Sequence, residues 1–345
     1  MTSQALSPIP VTILSGFLGA GKTTLLNRLL ASSGKQRIAV VENEFGAVGI
    51  DGGLISDNRN PAITVVELAN GCVCCSVRGE MSRALADLAD RRAAGTLAFD
   101  RLLLETTGLA DPAPVAQAFF VDEGVRERYV LDGILTLVDA VHAGEQLDQH
   151  RVAAAQVGFA DRLLLTKTDL VDTARVEELT ARLRRINVRA PIIPSPIATE
   201  AVAGLLDLHA FHLDDVLELD PAFLAGHRPS GHARGGSPAA CPQGPWDDDV
   251  SSLVLRHPGV VDLDRIGAFV EELLASQGND MLRYKGVLAI ADKPERLIFQ
   301  GVHRITGFDY GRVWEAGEVR ESVIVIIGRR LATAAITEAF LAACS

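Results

Sequence analysis

The sequence predicts an α/β fold, a P-loop type of domain with a mostly parallel sheet and flanking helices, plus a smaller C-terminal α+β domain. Three observations carry that expectation. Apolar runs alternate with helical periodicity over roughly the first 210 residues, the pattern of a parallel sheet wrapped by helices. A glycine-rich turn of fixed spacing joins the first apolar run to the first amphipathic one. Beyond a Gly- and Pro-rich stretch at residues 227–249, which ends in three aspartates, a second pattern with more strands than helices begins.

The elements follow in order. Residues 11–14 are an apolar strand. The next ten residues, SGFLGAGKTT, place Gly16, Gly21, Lys22 and Thr23 in the spacing G-x-x-x-x-G-K-T, ahead of Leu25, Leu26, Leu29 and Leu30 at helical intervals. At a strand-to-helix turn, glycines let backbone N–H groups converge on phosphate oxygens, and the helix N-terminus adds its positive dipole end. Lys22 is expected to reach the β and γ phosphates, and Thr23 to offer its hydroxyl to Mg²⁺. Residues 37–41 and 63–68 are the next strands. The stretch between them carries Gly46, Gly49, Gly52 and Gly53 and is expected to be a mobile loop region.

Residues 80–92 form a helix, and residues 101–104 a strand that ends in Glu105, with Gly108 three positions later. That places a carboxylate near Mg²⁺ and the Gly108 N–H where a γ-phosphate would lie. A strand over 133–138, a helix over 145–157 and a strand over 162–165 precede Thr166-Lys167-Thr168-Asp169. An aspartate there can accept two hydrogen bonds from guanine, whereas adenine has no donor at N1. The nucleotide is therefore expected to be GTP, with the Lys167 stem along the base face. A helix over 175–186 and a strand over 191–193 complete this part.

After a linker over 216–250, residues 251–345 predict a strand at 252–256, a helix at 263–275, strands at 287–291, 297–302 and 323–327, and a final helix at 331–342. The first domain spans 1–215. No catalytic constellation is evident in the second.

Cys72, Cys74 and Cys75 stand in Gly71-Cys72-Val73-Cys74-Cys75. Three soft sulfurs from one short stretch suit Zn²⁺, with Co²⁺, Ni²⁺ or Cu⁺ as competitors, and leave a fourth position open. Buried small hydrophobes or a redox pair are the alternatives. His227, His232 and Cys241 in the linker are read as solvated residues rather than ligands. The formal net charge of -11 argues against nucleic acid and anionic membrane as partners. With 48% hydrophobic and 22% charged residues, no membrane span and no signal-peptide pattern, the cytoplasm is the expected compartment. Five cysteines, three of them clustered, do not form a secreted disulfide framework.

Taken together, GFLGAGKTTLLN, VVENEFG, ELANGCVCC, LLLETTGLADP and LLLTKTD resemble the CobW family of P-loop GTPases, metal-handling proteins related to the nickel-insertion GTPases of hydrogenase and urease. The resemblance runs on through MLRYKGVLAIAD and LIFQGVHR and so covers nearly the whole chain. It implies phosphate contacts from Gly19, Ala20, Gly21, Lys22, Thr23 and Thr24, with Mg²⁺ on Thr23 and Glu105. It implies guanine contacts from Thr166, Lys167 and Asp169, and zinc on Cys72, Cys74 and Cys75. Glu42 is an additional carboxylate near the metal or the nucleotide. Two departures stand out: Ala47 follows ENEFG where relatives often carry an acid, and the linker holds only two histidines. The implied activity is Mg²⁺-dependent GTP hydrolysis, with Lys22, Thr23, Glu105 and Glu42 as the catalytic set. The implied role is delivery of zinc to client metalloproteins, and a homodimer is compatible with it. A zinc-responsive, GTP-dependent interaction switch without metal transfer is the alternative.

Overall fold

The computed structural model of the chain describes residues 7–32, 36–43, 63–67, 77–194, 205–208, 210 and 248–345. It divides into two compact units, Met1–Thr180 with Ala190–Phe211 and Ala181–Arg189 with His212–Ser345.

The first unit holds strands β1 (Ile9–Gly16), β2 (Ile38–Asn43), β3 (Ile63–Glu67), β4 (Arg101–Thr106), β5 (Tyr129–Asp139), β6 (Arg162–Thr166) and β7 (Ile192–Pro194). They form one sheet in the order β3-β2-β4-β1-β5-β6-β7, parallel at every pairing. Near-continuous apolar runs are what such strands need, because helices cover both faces. Val11, Ile13 and Leu14 of β1 and Leu102, Leu103 and Leu104 of β4 are fully buried. Helix α1 (Lys22–Ser32) lays Leu25, Leu26, Leu29 and Leu30 on that sheet, against Ile38, Val40, Leu103 and Leu135. The remaining helices are α2 (Val77–Ala93), α3 (Ala113–Val121), α4 (Glu123–Arg126), α5 (Ala143–Gln149), α6 (Arg151–Phe159) and the start of α7 (Thr173–Ile186). Neither neighbour of β1 in the sheet is its neighbour in sequence. The strand order therefore reverses at β1, the place where open α/β sheets leave a crevice at the carboxyl ends of their strands.

Two local departures from expectation have physical causes. The single helix expected over residues 145–157 is two helices, broken at His150 (φ -129, ψ 106), whose ring stacks on Phe17 at 4.8 Å between centroids. Helix α3, APVAQAFFV, is apolar on all sides and so carries no periodic signal, although Pro112 and Pro114 mark its first turn.

At the amino ends of the strands a buried ionic group spans the sheet. Arg101 of β4 donates to Asp132 of β5 at 2.9 Å and to Thr12 of β1 at 3.0 Å, and it also pairs with Asp207. Ala210 N–H donates to the Asp132 carbonyl at 2.7 Å, so the chain beyond β7 is fastened beneath the sheet.

The second unit is a five-stranded antiparallel sheet, β11-β10-β9-β12-β8. Its strands are β8 (Val250–Pro258), β9 (Met281–Ala289), β10 (Glu295–Val302), β11 (Ile305–Val313) and β12 (Glu321–Arg329). Helices α8 (Leu263–Gln277) and α9 (Thr333–Cys344) pack on one face through Phe269, Val270, Ile336 and Phe340. Strand β9 begins six residues before the expected 287, because its first half carries buried Arg283 and Lys285 among apolar residues. Within this unit Arg182 and Asp248 form a buried pair at 2.7 Å. The Arg296 guanidinium, paired with Glu318, sits 4.3 Å above the Trp314 ring. No helix among the described residues is long and apolar enough to cross a membrane.

Candidate functional site

The site is built at the carboxyl end of β1. Gly16 has φ +137, and a Cβ there would lie 2.5 Å from the Leu137 carbonyl oxygen of β5, so only glycine lets the chain leave the sheet at this angle. The loop then turns through Gly19 and Gly21 into α1. The buried Lys22 ammonium donates to the carbonyls of Gly16 at 2.9 Å and Phe17 at 3.3 Å. A buried cation must be paired, and these two loop carbonyls hold it beside the space the loop encloses. Thr23, on the same first turn, donates its hydroxyl to Glu105 Oε1 at 3.3 Å. The sequence-expected Mg²⁺ pair is thus brought together, while Thr24 faces outward.

Glu105 reaches this position because β4 lies beside β1, with Glu105 in register with Leu14. In the same row the backbone of Glu42 on β2 lies opposite Glu105, and Glu67 on β3 opposite Glu42. Three glutamates therefore occupy one register position on adjacent strands. Past Glu105, Thr106 donates to the Leu14 carbonyl at 3.2 Å. Gly108 then passes so close to the phosphate loop that a Cβ would lie 2.6 Å from Leu18 N and 2.8 Å from Leu18 Cα. Buried Gln156 of α6 donates to the carbonyls of Gly108 at 3.1 Å and Ala110 at 3.0 Å and holds this loop in place. No motif singles out Gln156 in the sequence; its role follows from the placement of α6.

The base-side loop is fastened to the phosphate loop. Thr166 Oγ1 donates to the Ala20 carbonyl at 2.9 Å, and Lys167 (φ 58) donates through Nζ to Asp139 Oδ2 at 2.8 Å. Asp169 follows on a short 3₁₀ turn, Thr168–Leu170, and is exposed. Asp139 at the end of β5 is fully buried and also accepts from Val141 N–H and His142 Nδ1, each at 2.9 Å. Burial pushes its carboxyl up, but hydrogen bonds from Lys167 and His142 outweigh this and leave it below the usual carboxylate range. A carboxylate ending an apolar strand is the signal that marked Glu105, and LTLVD carries it equally for Asp139.

Cys72, Cys74, Cys75, His227, His232 and Cys241 lie outside the described residues, as do residues 44–62. Among the described residues no group of three His, Cys, Asp or Glu side chains could hold a metal ion. Cys344, half-buried at the end of α9, has its thiol pushed up to about 11 by burial.

Chemically, the arrangement offers a lysine that could meet phosphates, a hydroxyl and a carboxylate that could hold a divalent cation, and an exposed carboxylate that could meet a base edge. Residues 10–194 match the family described as CobW/HypB/UreG, nucleotide-binding domain, and residues 250–344 match the cobalamin synthesis protein cobW C-terminal domain. The chain is 42% identical over 338 residues to the zinc chaperone YjiA of Escherichia coli (strain K12), covering 97% of this chain and 98% of that protein. It is 35% identical over 369 residues to the zinc chaperone CobW of Pseudomonas aeruginosa, covering 96% and 91%. The crystal structure of Zn(II)-bound YjiA GTPase from E. coli superposes with a TM-score of 0.75 at 35% sequence identity, over 99% of this chain and 100% of that one.

Proposed function

Because this chain belongs to the CobW/HypB/UreG family, we propose that it is a GTP-hydrolysing zinc chaperone, taking its cargo ion on Cys72, Cys74 and Cys75 and passing it to client metalloproteins. The observation that carries this reading is the Thr23–Glu105 pair beside Lys22, in a chain that matches zinc chaperones along nearly its whole length.

Thr23 and Glu105 fit a hard cation, a hydroxyl and a carboxylate set at the mouth of an anion-binding loop. Mg²⁺ held there would neutralise charge on the β and γ oxygens of GTP. The chain's own residues do the rest. Lys22 turns from the loop carbonyls to the phosphates, and the N–H groups of Gly19 to Thr24 cradle them. Gly108 presents its N–H toward the γ-phosphate. Glu105 orients the attacking water, with Glu42 as the second carboxylate in the row. Asp169 accepts from the guanine edge, Thr166 holds that loop against the phosphate loop, and Lys167 lies beneath the base. Catalysis is then mostly positioning and electrostatics.

The same proposal covers zinc as the native cargo with Co²⁺ or Ni²⁺ as competitors, and domain limits at 1–215, 216–250 and 251–345. It also covers an unidentified client metalloprotein, no nucleic acid or membrane partner, self-association as a homodimer, and residence in the cytoplasm, where thiolates stay reduced.

The test is zinc affinity by competition with a chromophoric chelator in the nucleotide-free, GDP and non-hydrolysable GTP states. Coupling of about 1 to 3 kcal/mol, roughly 5- to 150-fold, is expected between the GTP and GDP states. Equal affinities in all three would reduce the cysteines to a passive staple and end the delivery reading.

A further inference from the structure

Asp139 has no place in the nucleotide motifs, yet its carboxylate is closely engaged beside them. Its side chain is 1% exposed, and it accepts from Lys167 Nζ, His142 Nδ1 and Val141 N–H. Burying a carboxylate is costly, and the Lys167 ammonium is the principal compensation. Lys167 itself is held in a left-handed backbone conformation, φ 58, which a non-glycine residue adopts only when its surroundings impose it. Asp139 lies in register with Thr166, the residue before that lysine. In the sheet, β5 stands between β6, which carries the lysine, and β1, which carries the phosphate loop. The lysine stem therefore runs from the base-side loop toward the phosphate loop, with its ammonium neutralised at the far end.

We propose that Asp139 is a positioning residue for guanine recognition: it pins the Lys167 ammonium so that the aliphatic stem forms a fixed floor on which the base packs. A swinging lysine would have to be ordered at each binding event, at the cost of its rotamer entropy, and would offer its charge rather than its methylenes to the base. Lys22 and Lys167 then divide the nucleotide between them, one taking phosphate charge and the other an apolar face. The inference rests on the assignment of Thr166, Lys167 and Asp169 as the guanine site.

The experiment is a double-mutant cycle on the full-length chain, reading the affinity of fluorescently labelled GDP and ADP for wild type, Asp139→Asn, Lys167→Met and the double variant. Asparagine keeps an acceptor at Oδ1 for Val141 N–H and puts an amide NH₂, which cannot accept from the Lys167 ammonium, at the Oδ2 position. Asp139→Asn is expected to weaken GDP about tenfold, the usual weight of a hydrogen bond to a charged group, and to cost less than about twofold once Lys167 is already methionine. The same loss in both backgrounds would show that Asp139 acts on the fold at large, and no loss in the wild-type background would show that the pin is irrelevant; either overturns the proposal. If Asp139→Asn fails to fold, Lys167→Met decides alone, because it keeps the stem and loses the pin: a tenfold loss of GDP affinity supports the proposal and wild-type affinity overturns it. Wild-type protein that binds ADP as well as GDP would instead remove the guanine assignment, and this inference with it.

Discussion

The Thr23 hydroxyl donates to Glu105 Oε1 across 3.3 Å, which joins the first turn of α1 to the end of β4 where the phosphates of a nucleotide would meet a cation. Two residues separated by 82 positions in sequence are thereby held side by side.

That pairing sets the first prediction. Glu105→Gln keeps a hydrogen-bond acceptor for Thr23 but removes the charge, so GTP turnover at saturating Mg²⁺ should fall roughly 10- to 100-fold, as loss of an orienting carboxylate at a metal site commonly does. GDP affinity measured without Mg²⁺ should stay within about twofold. Steady-state phosphate release beside nucleotide titration checks both. Unchanged turnover would remove Glu105 from the catalytic set.

Asp169→Asn replaces an acceptor with a group that also donates. GTP binding should weaken, and xanthosine nucleotides, which carry a carbonyl where guanine has its amine, should bind better than they do to wild type. Competition against labelled GDP reads both changes at once. Retained GTP affinity would contradict the role given to Asp169.

Cys74→Ser exchanges a soft thiolate for a poor ligand, so zinc affinity should fall steeply while GTP affinity in metal-free buffer stays near wild type. Chelator competition and nucleotide titration on the same preparation separate the two. Wild-type zinc affinity in the variant would make the cluster structural or redox-active instead.

Asp132→Ala tests the ionic group under the sheet. Arg101 and Asp132 are both almost wholly buried, and removing one partner leaves a guanidinium in an apolar site. The nucleotide-free protein should lose about 3 kcal/mol, the low end for a broken buried pair, because Asp207 still faces Arg101. Urea unfolding followed by far-ultraviolet circular dichroism should show an earlier midpoint. An unmoved midpoint would mean that Thr12 and Asp207 suffice.

Much of this architecture is legible in the residues because parallel strands buried on both faces announce themselves as apolar runs. Each strand of the first unit falls where such a run stands, and the phosphate loop and Thr166 to Asp169 fall at the strand ends their spacing implies. Strand β11 escapes for the opposite reason. ITGFDYGRV is exposed along most of its length, with two glycines, and it pairs with β10 alone at the edge of its sheet, so no burial pattern marks it. Arg283 and Lys285 hide the first half of β9 because charged residues seldom fill a strand buried throughout. Gln156 and Asp139 act through distant partners, and only the assembled sheet shows which carbonyls and which ammonium they meet.

The packing of Arg296 over Trp314 has a spectroscopic consequence. The chain holds two tryptophans, Trp246 and Trp314, and both fall in the span His212–Ser345, so the nucleotide-binding unit carries none. Emission excited at the red edge of indole absorption therefore arises from that span alone. A shift in that emission on adding GTP would report on the surroundings of Trp246 and Trp314, read without attaching a dye.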